Sequence, residues 1–183
     1  MSYKPKIPTT EQELRNILDK LYSETQTQVE NNNLLGFVGL LEVIKSNATI
    51  LTAIHNIKSN SGSSTSGTDD KTINDILVQK YDEVLDYVKS NLDNHRPKKI
   101  RRVLIPKADS TEKRPLGIPT IGDRIIQECV RIVIEPIMEA QFFNHSYGFR
   151  PMREASMALE RINTICSPNR LSLGSRRGHK QIL

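Results

Sequence analysis

Apolar positions recur with a helical period over most of the first half of the chain. Thr10-x-x-Glu13 has the spacing of a capping box, and Leu14, Ile17, Leu18 and Leu21 then fall on one helix face that fades near Gln28. Asn31–Asn33 breaks the pattern. Leu34, Phe37, Val38, Leu41 and Ile44 predict a second helical stretch, and Ile50, Leu51, Ile54 and Ile57 a third from about Asn47. Ile73, Ile76, Leu77, Val84, Leu85, Val88 and Leu92 give one apolar face through Lys71–Leu92. Ahead of these, residues 1–9 form a Lys/Pro arm, predicted to be extended and mobile.

The period changes at residue 96. Ile100–Pro106 is β-branched and aliphatic, Lys107–Lys113 is a polar turn, and Arg114–Pro119 is a second short extended segment, which together predict a β-hairpin. Thr120-x-x-Asp123 predicts a capped helix running to about Ala140. That helix is apolar on more than one face and so largely buried, and Pro136 is expected to kink it or end it early. Phe142–Pro151 reads as a loop. Met152–Ile165 predicts a short helix with Ala155, Ala158, Leu159 and Ile162 inward, and Ser167–Leu183 a disordered tail. The fold class is α+β, mostly helical. The Ser/Gly segment 59–70 has two open readings, a flexible linker or a functional surface loop.

Composition narrows this little. At 183 residues the chain can bury a real core, and with 37% hydrophobic residues and no Trp that core is aliphatic. Cys129 and Cys166 have no metal-ligand spacing, so a disulfide scaffold or structural zinc is not expected. No apolar run reaches the ~18 residues of a membrane span. The N-terminus lacks the apolar core of a signal peptide, so the expected location is the cytoplasm or an organellar matrix. Nothing in the pattern fixes an oligomeric state.

Charge is more telling. The net +5 divides unevenly: residues 1–94 carry 9 basic and 13 acidic side chains, net −4, and residues 95–183 carry 17 and 8, net +9. A half-chain this basic points to a polyanionic partner, nucleic acid first and an acidic membrane second. Four of the cations, Arg170, Arg176, Arg177 and Lys180, lie in the tail.

Lys98, Lys99, Arg101, Arg102, Lys107, Lys113 and Arg114 all lie on or beside the hairpin. A basic ribbon holds phosphates well, Lys as a point charge and Arg as a fork, but charged edge strands are also a common guard against aggregation. Strand alternation sends Arg101 and Val103 to one face, Arg102 and Leu104 to the other. Tyr147-Gly-Phe-Arg-Pro151 either stacks on bases, or places Tyr147 and Phe149 in the core while Arg150 caps a carbonyl. None of His55, His95, His145 and His179 has a partner at catalytic or metal-ligand spacing, and GxGxxG and P-loop motifs are lacking. Asp123 is the last aspartate. Asp69-Asp70 lies in the Ser/Gly segment and Asp109 in the hairpin turn, neither a setting for a rigid two-metal centre.

Four blocks carry a family resemblance. Lys98-Lys-Ile-Arg-Arg-Val-Leu-Ile-Pro-Lys107, Lys113-Arg-Pro-Leu-Gly-Ile-Pro-Thr-Ile-Gly-Asp-Arg-Ile-Ile-Gln127, Glu135-Pro-Ile and Ser146-Tyr-Gly-Phe-Arg-Pro151 resemble the amino-terminal part of group II intron-encoded reverse transcriptases, or maturases. Residues 57–69 also resemble the glycine-containing loop before the fingers of that family. The resemblance covers about residues 45–165. It implies a helical extension (1–45), fingers with a β-hairpin and the start of a palm (46–165), and an unmatched tail (166–183).

The implied roles follow residue by residue. Lys107 and Arg114 match positions that contact the triphosphate of the incoming nucleotide. Leu116, Gly117, Ile118 and Pro119 line the template path, and Tyr147, Gly148, Phe149 and Arg150 lie near the fingers–palm junction. The 59–69 loop closes over the template end, and Arg101 and Arg102 belong to the cations that hold template or intron RNA. The family's catalytic aspartates, one on a palm strand and a pair in a Tyr-x-Asp-Asp turn, have no counterpart in these residues. The expectation is therefore a front fragment, inactive by itself as a polymerase. Two Mg²⁺ ions and dNTP are expected only for the full-length parent, with intron RNA and template–primer as partners and no membrane. The alternatives are a non-catalytic RNA-binding module, an inert remnant, or an unrelated basic helical domain.

Overall fold

The structure is a computed structural model and describes residues 2–33, 36–107 and 111–169. It is mostly helical with one antiparallel strand pair, compatible with the α+β class. It divides into two units, Met1–Gln141 and Phe142–Leu183.

Strand β1 (Ser2–Tyr3) pairs in parallel with β2 (Gly36–Phe37). The N-terminal arm is thus docked where mobility was expected. Tyr3 meets Phe37 edge to face at 6.4 Å, Lys20 Nζ lies 5.0 Å from the Tyr3 ring, and Pro5 and Pro8 are buried. Helix α1 (Glu11–Glu30) starts at the predicted cap: Thr10 Oγ1 accepts from the Glu13 amide at 3.2 Å. The Glu13 carboxylate closes one residue earlier than a capping box would, accepting from Thr9 N and Thr9 Oγ1. Those bonds hold its pKa below the ordinary value.

The second helical stretch is corrected. Only α2 (Leu40–Ile44) forms, and Phe37 lies in β2; Leu34 and Leu35 lie outside the described residues. Gly39, in the left-handed region at φ 85°, separates strand from helix. Helix α3 (Asn47–Ser59) starts as expected, with Ser46 as cap. The apolar face through Lys71–Leu92 is carried by two helices, α4 (Ile73–Leu77) and α5 (Tyr81–Asp93), separated by an exposed Val78. Periodicity alone does not show such a break, because both pieces keep their apolar sides inward.

Strands β3 (Arg101–Pro106) and β4 (Lys113–Ile118) form the hairpin, with Arg101 opposite Ile118 and Pro106 opposite Lys113. Residues 108–110, including Asp109, lie outside the described residues. Helix α6 (Ile121–Glu139) is the axis of the first unit, and α1, α2, α3 and α5 all pack on it. Its Ile125, Cys129 and Val133 are fully buried with Leu21 of α1, Val43 of α2, Ile50 of α3 and Val88 of α5. Burying one such side chain contributes about 1.5–3 kcal/mol. Pro136 does not end α6 early. It falls in the last turn, where one amide donor is lost and Ala140 N still bonds to Pro136 O at 3.1 Å. No helix of the described residues is long and apolar enough to cross a membrane.

The second unit holds the loop after Phe142 and helix α7 (Ala155–Asn169). Its expected inward residues Leu159 and Ile162 are exposed, at 67% and 57%. Spacing marked them as a face but could not supply its cover. The helix backbone reaches Asn169, and the rest of the predicted tail, 170–183, lies outside the described residues.

Candidate nucleic-acid interface

Alternation and register together sort the hairpin cations. One face carries Arg101, Val103 and Ile105 of β3 with Ile118, Leu116 and Arg114 of β4. The Lys107 amide donates to Glu112 O at 3.0 Å, which extends the ladder by one pair and sets Lys107 on that same face. Lys107 and Arg114 therefore share the distal end of one face. The opposite face carries Arg102, Leu104 and Lys113 around Gly117. Arg101 and Arg102 are thus separated: Arg101 is half-buried and Arg102 exposed.

Lys107 Nζ pairs with Glu112 Oε2 at 2.6 Å, and both side chains are well exposed. An exposed pair of this kind is worth about 0–1 kcal/mol, so a phosphate can take the Glu112 place at small cost. Leu116 is exposed, whereas Ile118 and Pro119 are half-buried at the base. A Cβ at Gly117 would lie 2.9 Å from Ile100 Cγ2. The close neighbour of Gly117 in this structure is that side chain.

The 59–70 segment is a docked loop, so the linker reading falls. A Cβ on the buried Gly67 would sit 2.7 Å from Thr120 Cα and 2.9 Å from Pro119 O, so only glycine fits against that backbone. Arg124, in the first turn of α6, donates from Nη1 to Gly62 O (3.0 Å), from Nη2 to Thr65 O (2.7 Å) and from Nε to Pro119 O (3.0 Å). Burial, reinforced by Arg101, draws its guanidinium below the ordinary value, and Asp69 opposes that shift. Arg101 Nη1 reaches Ser66 Oγ at 3.3 Å, and Thr68 Oγ1 donates to Lys99 O at 2.8 Å. The loop is thereby tied both to α6 and to the hairpin base.

Asp123 is locked into the same junction. Its carboxylate accepts from Thr120 Oγ1 (2.8 Å) and Lys98 N (3.2 Å), and His95 Nε2 lies 3.8 Å away. Among the described residues no three His, Cys, Asp or Glu groups come together as a metal site. The described carboxylates do not fit a two-ion centre.

In the second unit, Arg150 Nη1 donates to Phe143 O (2.9 Å) and Ser146 O (2.8 Å), and its guanidinium stacks 5.2 Å from the Phe142 ring. The carbonyl-capping reading of Arg150 holds. The matching core reading fails for Phe149, which is fully exposed at φ 56°, while Tyr147 is half-buried with Arg153 5.7 Å from its ring. Gly148 has open space around it.

The sequence reading missed Arg124, Ser66, Thr68 and His95. One signal for Arg124 was available: a cation in the first turn of a helix opposes the helix dipole and needs partners to hold it there.

No protein-family model matches the chain. It is 41% identical over 110 residues to the group II intron-encoded protein LtrA of Lactococcus lactis subsp. cremoris, a match covering 60% of this chain and 18% of that protein. It is 36% identical over 151 residues to an uncharacterized 91 kDa protein in the cob intron of Schizosaccharomyces pombe, covering 82% and 18%. A putative COX1/OXI3 intron 2 protein of Saccharomyces cerevisiae is 29% identical over 152 residues, covering 82% and 16%. The chain spans under a fifth of the length of these curated relatives.

Proposed function

We propose that the chain, similar to group II intron-encoded proteins over the stretch it shares with these relatives, is reverse transcriptase/maturase-like and binds intron or template RNA through its hairpin and the docked 60–69 loop. The placement of Lys107 and Arg114 at one end of one face carries this reading. Two cations about two residues apart on a ribbon match the spacing of a polyphosphate, and their face also carries the exposed apolar Leu116. In a longer parent, that end contacts the triphosphate of the incoming nucleotide and the rest of the face follows the template. Arg102 and Lys113, on the other face, hold RNA phosphates. The 46–165 region is then the fingers and the start of a palm, and residues 1–45 the helical extension.

The test is filter binding of the purified chain to structured RNA over a range of salt. Displacing counterions from several phosphates gives a straight line of negative slope in log K against log salt, roughly −0.7 to −0.9 per contact. Binding without salt dependence, or no binding, overturns the proposal and favours an inert remnant.

A further inference from the structure

The 59–70 segment contains only Ser, Asn, Gly, Thr and Asp. It buries no apolar side chain, so nothing hydrophobic holds it in place. It is fixed instead by polar contacts that water competes for, and two of them come from one group. The Arg124 fork joins Gly62 O, Thr65 O and Pro119 O, two points within the loop and one at the end of the hairpin. A lysine ammonium at the end of a flexible stem does not reproduce that planar geometry. Gly67 packs against the α6 cap, and Ser66 and Thr68 reach Arg101 and Lys99 O at the hairpin base. From there the hairpin runs about 20 Å to the Lys107 end.

We propose that Arg124 is the positioning residue that fixes the 60–69 loop to the hairpin base, so that loop and hairpin meet RNA as one surface. The inference rests on the RNA-binding reading above. Arg124 contributes through the backbone it holds, and its charge is not the contact with RNA.

The experiment uses the full 183-residue chain as wild type, Arg124→Ala and Arg124→Lys. Amide exchange is followed at Ser63 and Thr65, whose N–H groups bond within the segment, at Ile73, whose N–H bonds to Ser63 O, and at Ile125, Cys129 and Val133 in the α6 core. RNA affinity is measured at two salt concentrations. Both variants are expected to speed exchange in the loop by about tenfold or more while the core amides stay protected. Both are expected to weaken RNA binding by a similar factor, roughly tenfold, although the lysine keeps the charge. Wild-type affinity in Arg124→Lys, or unchanged loop exchange in either variant, overturns the proposal. So does a loosened loop with unchanged affinity. If Arg124→Ala also loosens the core, Gly67→Ala decides, because it displaces the loop and leaves Arg124 in place. A wild-type chain that binds no RNA sinks the RNA-binding reading itself, an outcome distinct from normal binding by all variants.

Discussion

Cys129 lies at the centre of α6 with no exposed surface. Burial pushes its thiol up to about 12, and the charge of Glu128 adds to the effect. The protonated form is the one the core accepts, so through neutral and mildly basic pH the side chain is a small apolar group without nucleophilic character. The sign for stability follows. Above the ordinary value of 9.0 the unfolded thiol ionises and the folded one does not, so folding weakens as pH rises from there toward 12. In a Cys166→Ser variant, Cys129 should resist an alkylating reagent at pH 8 and react only as fast as the chain opens. Rapid stoichiometric labelling without denaturant would contradict the burial. Residue spacing showed that Cys129 lies on a largely buried helix, but not how far burial shifts its thiol. The thiol chemistry comes from the four helices packed around α6.

Among the elements, those with a local cause were the readable ones. Helices α1, α3 and α6 each begin at a Thr or Ser whose hydroxyl accepts the amide three residues on, and the hairpin follows from β-branched alternation around a polar turn. The parallel pairing of Ser2–Tyr3 with Gly36–Phe37 and the docked loop depend on partners far along the chain, and the break between α4 and α5 leaves the apolar face unchanged, so periodicity does not mark it. The two faces of the hairpin give one expectation. Arg102→Ala should shallow the salt slope of RNA binding by about 1, and Arg101→Ala by less, because Arg101 already holds Ser66. Equal losses would refute the two-face arrangement. A second concerns the join of α3 to α6. Asn56 Nδ2 donates to Glu128 Oε1 (2.8 Å), and Arg131 grips both Glu128 oxygens at 2.6 and 2.8 Å. Hydrogen bonding from Arg131 holds the Glu128 carboxyl below the usual range, against burial and with help from Asn56. Its stabilising effect is full above the ordinary 4.5 and is lost as pH falls through the lowered value. Glu128→Gln should cost about 1 kcal/mol at pH 7, read from urea midpoints, and the gap to wild type should close in acid. A gap that widens below pH 4 would reverse the sign.

At the scale of the whole molecule, the split between a −4 half and a +9 half acquires a structural meaning. The acidic half supplies most of the helices around α6, and the basic half begins where the chain leaves α5 for the hairpin. Binding and catalysis then separate. The proposed RNA binding needs only a fixed basic surface, and its cations belong to the hairpin, not to the loop docked on its base. Phosphoryl transfer by two metal ions needs carboxylates aimed at one point about 4 Å across. No aspartate follows Asp123, and Asp123 is 6% exposed with its oxygens engaged by Thr120, Lys98 N and His95. Freeing it for a metal would break its bonds from Thr120 Oγ1 and from Lys98 N in the lead to the hairpin. Asp69 lies within 3.8 Å of Lys98 Nζ and accepts from the Lys71 amide, so it too is part of the loop's own structure. We therefore expect these 183 residues to bind RNA with salt-dependent affinity and to give no primer extension with Mg²⁺ and dNTPs. Metal-dependent synthesis by the purified chain that survives Asp123→Asn would place the chemistry on carboxylates other than Asp123. Synthesis abolished by that substitution in a chain that remains folded would make Asp123 itself catalytic. Either result would overturn the separation of binding from catalysis.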